Sequence, residues 1–147
     1  MSAEANPQLR LENQLCFPLY SASNAVVRAY RPLLAALDLT YPQYLVMMVL
    51  WEEEAISVGE LGERLFLDSG TLTPLLKRLE GKGFVSRKRS SEDERVRIIT
   101  VSGAGKALEE QAQAIPRELA CLVGLSPAKG RELKKLCLQI LAALETN

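Results

Sequence analysis

A chain of 147 residues, 48% hydrophobic and 5% aromatic, is long enough for one core, and its wealth of leucine and alanine points to a mainly helical class. Basic and acidic residues number 18 each, so the net charge is zero and only the distribution of charge can speak for or against a nucleic-acid partner. No apolar run reaches the roughly 18 residues of a transmembrane helix, and the polar start, Met1 to Arg10, lacks the order of a signal peptide.

The chain therefore reads as cytoplasmic, with no membrane partner. Histidine is absent and the three cysteines lack paired spacing, which argues against a metal site or any cofactor.

Residues 1 to 8 read as a disordered polar lead. Leu15, Leu19, Ala22, Val26 and Ala29 recur at steps of three and four, predicting a helix from about Leu9 to Leu37 that tolerates Pro18 in its first turns and kinks or ends at Pro32. A second helix runs from Thr40 to Glu54, capped by Thr40, with Leu45, Met48, Val49 and Trp51 as its apolar body. Ser57 and Glu60 have capping-box spacing and open a short helix with Val58, Leu61 and Leu65 on one face, ending near Phe66.

After a turn at Leu67–Gly70, a further helix aligns Leu72, Leu75, Leu76 and Leu79, stopped by Gly81-Lys82-Gly83. Pro74 leaves its start open anywhere from Ser69 to Thr73. From Phe84 to Val101 the period changes to two, around a polar tip from Ser90 to Arg95, which is the pattern of a hairpin. Ser102 caps a helix to about Leu122 bent at Pro116. Ser126-Pro127 opens a last one to Leu144, with Leu133, Leu136, Ile140, Leu141 and Leu144 on one face.

Two helices, a turn and a two-stranded hairpin follow one another in the order of a winged helix-turn-helix over residues 40–101. Ser69, Thr71 and Thr73 supply hydroxyls at the head of the second helix for base edges or phosphates, and Lys77 supplies a phosphate or guanine contact. From Lys77 to Arg89 the bases Lys77, Arg78, Lys82, Arg87, Lys88 and Arg89 face only Glu80, a local cationic patch within a neutral chain. At the acidic tip, Asp93 is placed to hold Arg95 or Arg97 by an ion pair, leaving Arg95 to enter a minor groove.

The run Asp68-Ser69-Gly70-Thr71-Leu72-Thr73-Pro74-Leu75-Leu76-Lys77-Arg78-Leu79-Glu80, with Asp93-Glu94-Arg95 in the wing and Asn13-Gln14-Leu15-Cys16-Phe17 near the start, resembles MarR-type repressors of the OhrR branch, which sense organic hydroperoxides. The resemblance extends from about Leu11 to Leu144. It implies a single domain over 1–147 and a homodimer held by helices in 1–37 and 103–147. It also implies two wings gripping pseudo-palindromic double-stranded operator DNA, and an early start for the Pro74 helix.

It further implies that Cys16 is the redox sensor, attacking an organic hydroperoxide as its thiolate. Cys121 matches the resolving cysteine of the two-cysteine group, and Tyr30 and Tyr41 match tyrosines that bond the sensor from the partner subunit. The sequence itself offers no cation within four residues of Cys16, so the helix N-terminus and hydroxyl donors remain, Tyr20 being one turn away. Cys137 reads as a small buried hydrophobe. Other readings are a regulator relieved by a small lipophilic ligand with incidental cysteines, and a thiol peroxidase. The peroxidase lacks any nearby arginine to stabilise the leaving oxygen, and a dimerisation module alone leaves the wing unexplained.

Overall fold

Pro18 bears on where the first long helix starts, because a residue without an N–H costs least in the first turn. In the computed structural model, which describes residues 6–145, α1 spans Cys16–Leu34 with Pro18 in its opening turn. The helix does not reach back to Leu9 as the periodicity predicts. Pro7–Leu9 and Leu11–Asn13 are separate 3-10 turns, divided by extended backbone at Arg10. The first turn, capped by Asn6, replaces part of the predicted disordered lead; residues 1 to 5 lie outside the described residues. Pro32 sits near the other end of α1, which passes into a 3-10 turn, Ala35–Leu37, closed by Asp38 in the left-handed conformation (φ 54°).

α2 (Tyr41–Glu53) begins at the reciprocal capping box of the fold. Thr40 Oγ1 accepts from the Gln43 N–H (3.3 Å), and Gln43 Oε1 accepts from the Thr40 N–H (3.1 Å). α2 is buried on more sides than the sequence pattern implied. Tyr44, Val46, Met47, Val49 and Leu50 are its buried apolar residues, while Leu45, Met48 and Trp51 are half-buried. The Trp51 indole N–H donates to Gly105 O at 2.9 Å.

β1 (Ala55–Ser57), α3 (Val58–Leu65) and α4 (Ser69–Gly81) follow, then β2 (Val85–Arg89) and β3 (Arg97–Val101). At α3 only the Ser57 half of the predicted box forms, Ser57 Oγ accepting from the Glu60 N–H at 3.1 Å. The predicted hairpin is present, and a third strand that the sequence did not announce joins it. Among the described residues the sheet is antiparallel in the order β1-β3-β2, with Ile99 paired to both Ile56 and Arg87. Three residues are too few to display a period of two, so β1 is specified by pairing rather than by pattern.

The single helix predicted after Ser102 is two: α5 (Gly103–Ala112) and α6 (Ile115–Val123), with Pro116 in the opening turn of α6 instead of at a bend. α7 spans Pro127–Glu145.

The chain divides into two compact units, one ending at Ile115 and one beginning at Pro116. In the first, Leu34, Met47, Leu50, Leu61, Leu72, Leu76, Leu79 and Ile99 are at most 1% exposed and join α1 to α4 and the sheet in one core. The leucine stripe predicted for α4 is wholly buried. In the second unit the stripe of α7 is not: Leu133, Leu136, Ile140 and Leu144 are exposed. The stripe predicted for α1 likewise leaves Leu15 and Leu19 exposed, beside Phe17 and Tyr20.

Candidate nucleic-acid interface and thiol site

Asp68 sets the start of α4. Its carboxylate accepts from the Thr71 N–H (2.8 Å), and this bond holds the Asp68 carboxyl below its ordinary value. The helix therefore begins at Ser69, the early edge of the range that Pro74 left open. Pro74 lies inside α4, and the Thr73 hydroxyl donates to Ser69 O at 2.8 Å. With its leucines buried, α4 presents Ser69, Thr71, Thr73, Lys77 and Arg78 on its exposed side.

Between the head of α3, this side of α4 and the hairpin lies an open groove of about 670 Å³. Its lining includes Ser57, Gly59, Ser69, Thr73, Lys77, Arg87, Arg95 and Arg97. The sequence marks Ser57 as a helix cap but not as part of this groove, and Gly59, in the first turn of α3, carries no sequence signal for it.

The cationic patch is smaller than the residue count suggested. Arg87 is tied to Glu80: its backbone N–H and its guanidinium donate to the two carboxylate oxygens, both at 3.2 Å. The guanidinium and its charge hold the Glu80 carboxyl below the ordinary range. Arg87 Nε is buried and has no partner among the described residues. Lys82 is committed elsewhere, donating to Asp38 O and Gln43 Oε1. Lys77, Arg78, Lys88, Arg89, Arg95 and Arg97 remain exposed. At the hairpin tip the ion pair is Asp93–Arg95 (3.2 Å), and Arg95 keeps a side-chain exposure of 91%.

Cys16 is the first residue of α1 and is exposed; Cys121 on α6 is exposed, and Cys137 on α7 is half-buried rather than fully buried. All three are free thiols. Tyr20 is exposed on the turn after Cys16. Tyr30 and Tyr41 stack with ring centroids 4.4 Å apart, and Tyr44 lies 5.8 Å from Tyr30. Burial, then the neighbouring Tyr41 and Tyr44, push the Tyr30 phenol up to about 12, and burial raises Tyr41 as well. Tyr30 is fourteen positions beyond Cys16 on one helix, about 21 Å at ~1.5 Å per residue. The tyrosine pair and the thiol are thus brought to opposite ends of α1 in a single chain.

A recognition-type helix, an exposed hydroxyl and cationic face, and a wing with an arginine at its tip define a winged-helix DNA-binding protein. Residues 28–112 match the family model described as transcriptional regulator SarA/Rot. The chain is 49% identical over 138 residues to the organic hydroperoxide resistance transcriptional regulator of Bacillus subtilis, covering 94% of this chain and 92% of that protein. It is also similar to reduced AbfR bound to DNA (37% identity, TM-score 0.77, 93% and 96% of the two chains). It resembles disulfide-formed AbfR too (38% identity, TM-score 0.65, 91% and 94%); AbfR is from Staphylococcus epidermidis. The chain belongs to the MarR-type, OhrR-like family of winged-helix transcriptional regulators.

Proposed function

We propose that the protein is a homodimeric repressor that leaves a pseudo-palindromic operator when an organic hydroperoxide oxidises Cys16. The observation behind this reading is a free, exposed thiol at the first position of α1, in a regulator whose relative AbfR is known both reduced on DNA and disulfide-formed. Exposed Leu15, Phe17 and Leu19 in the first unit support a dimer, as do Leu133, Leu136 and Ile140 in the second, because apolar surface left open on a monomer favours association. The choice of organic hydroperoxide as the signal follows the Bacillus subtilis relative, an organic hydroperoxide resistance regulator. A regulator of operators works where the chromosome is, in the cytoplasm.

On DNA, Ser69, Thr71, Thr73, Lys77 and Arg78 of α4 meet the major groove, Arg95 meets the adjacent minor groove, and Arg87 adds a contact tempered by Glu80. On oxidation the Cys16 thiolate attacks the peroxide oxygen; the O–O bond breaks, the alkoxide takes a proton and leaves as the alcohol, and Cys16 becomes a sulfenic acid. The Cys121 thiol of the partner subunit attacks that sulfur, a disulfide forms and water leaves. Two thiols are oxidised and one peroxide is reduced. Tyr20 and the partner's Tyr30 and Tyr41 donate hydrogen bonds that favour the thiolate.

Anisotropy of a labelled operator tests this: the reduced protein binds, one equivalent of cumene hydroperoxide releases it, thiol reductant restores it, and Cys16→Ser stays bound. Equal binding in every sample would overturn the redox reading. A cavity of about 400 Å³ lined by Val27, Arg31, Leu39 and Tyr41 favours a second reading, relief by a small lipophilic ligand. That reading predicts release of the Cys16→Ser protein by an aromatic carboxylate such as salicylate.

A further inference from the structure

Lys82 is the C-cap of α4, its backbone N–H bonded to Arg78 O, while the Gly83 N–H that follows bonds to Glu80 O. Its side chain is one-quarter exposed, and its ammonium donates to Asp38 O and, at 3.0 Å, to Gln43 Oε1, with Asp38 Oδ1 3.6 Å away. Gln43 is 2% exposed, the one polar side chain buried within the core among the described residues.

An amide oxygen has two lone pairs. Those of Gln43 are taken by the Thr40 N–H and by the Lys82 ammonium. The next residue after Thr40 is Tyr41, stacked on Tyr30. One ammonium thus joins the C-terminal end of α4 to the α1–α2 corner across 39 residues of sequence. A charge-assisted bond to a buried acceptor holds position more firmly than an exposed pair, because breaking it leaves the acceptor unsatisfied away from water.

We propose that Lys82 is a positioning residue for DNA binding: through Gln43 and Asp38 it fixes the C-terminal end of α4 against the α1–α2 corner, so that the exposed head of the helix meets the groove at one angle. It is not a phosphate contact, although its place in the basic run suggests one. This rests on the reading of α4 as the recognition helix.

The test uses a duplex enriched from a random-sequence pool by the parent protein, titrated across a range of salt. Lys82→Met should weaken binding about tenfold, the size of one lost charge-assisted hydrogen bond. The slope of log affinity against log salt should stay that of the parent. Gln43→Leu should do the same, and the double variant should be no weaker than the weaker single, as for two ends of one contact.

A slope reduced by about one phosphate contact for Lys82→Met, or an affinity equal to the parent's, would overturn the proposal. If Lys82→Met does not melt cooperatively, Lys82→Gln decides. It keeps a donor for Gln43 without the charge, so near-parental affinity and slope support the positioning role, and a slope lower by about one contact overturns it. A parent that enriches no duplex overturns the DNA reading itself, and the positioning role with it.

Discussion

Asp93 Oδ1 accepts two hydrogen bonds from one residue: the Arg95 backbone N–H at 3.0 Å and its guanidinium Nε at 3.2 Å. The carboxylate therefore pins both the turn and the side chain that leaves it. The backbone bond first, and the guanidinium second, hold the Asp93 carboxyl below its ordinary value. A depressed carboxyl stabilises above the pKa of the free group and loses that effect as pH falls through the lowered folded value. At neutral pH the pin is fully formed.

Arg95→Ala should weaken operator binding by about 1–3 kcal/mol, the range for loss of one well-placed arginine. Asp93→Asn should weaken it less, since the arginine survives but is no longer held. Anisotropy titrations of both variants check this, and parental affinity in Arg95→Ala would remove the wing from the contact surface.

Glu80 restrains Arg87 as Asp93 restrains Arg95, but here the pair lies against α4 rather than at the tip. Glu80→Gln should leave Arg87 in place and unneutralised. Operator binding should then tighten, and the salt slope should steepen by about one contact if Arg87 meets a phosphate. An unchanged slope would show that Arg87 serves the helix–strand junction alone.

Cys121→Ser should bind the operator as the parent does and should fail to form an intersubunit crosslink with hydroperoxide. Non-reducing electrophoresis reads this directly. Crosslinked dimer in the Cys121→Ser protein would move the resolving role to Cys137, which is half-buried on α7.

Tyr30, raised to about 12, is a protonated phenol throughout the working pH range and can only be a donor toward a thiolate. Tyr30→Phe should slow oxidation of Cys16 by about tenfold, as expected for one hydrogen bond to a charged group. Stopped-flow trapping of the sulfenic acid measures the rate, and a parental rate would leave Tyr30 as a packing partner of Tyr41.

Gly105→Ala is a test of the fold rather than of the site. A β-carbon there would lie 2.3 Å from Phe84 O and 2.8 Å from Val101 Cγ2. Backbone cannot yield as a side chain can, so a loss of at least 1–3 kcal/mol is expected, on the order of other overpacked sites. Thermal melts monitored by Trp51 fluorescence give the value; an unchanged midpoint would mean that α5 can slide.

The elements legible in the sequence were those whose pattern is local. The leucine spacing of α4, the alternation flanking residues 90–95 and the Thr40 and Ser126 caps each describe their own segment. β1 was not legible, because three residues acquire strand character only from β3. The commitments of Lys82 to Gln43 and of Arg87 to Glu80 were not legible either: a basic run in one dimension does not tell which ammonium turns to solvent and which is anchored by another part of the chain. Exposure of the α7 stripe was unreadable for the same reason, since a periodic apolar face announces burial but not its partner.

The straight run of α1 from Cys16 to Tyr30 has one further consequence for the proposed sensor. A rod about 21 Å long, at ~1.5 Å per position, is a ruler that keeps the thiol from meeting the Tyr30–Tyr41 pair of its own chain. If the tyrosines act, the peroxide-reactive centre exists only as a product of association, so its abundance follows mass action in subunits rather than their number. Dilution below the dimer's dissociation constant should silence DNA binding and peroxide reactivity together, and a cell lowering its stock of this protein would lose detector and brake in the same step.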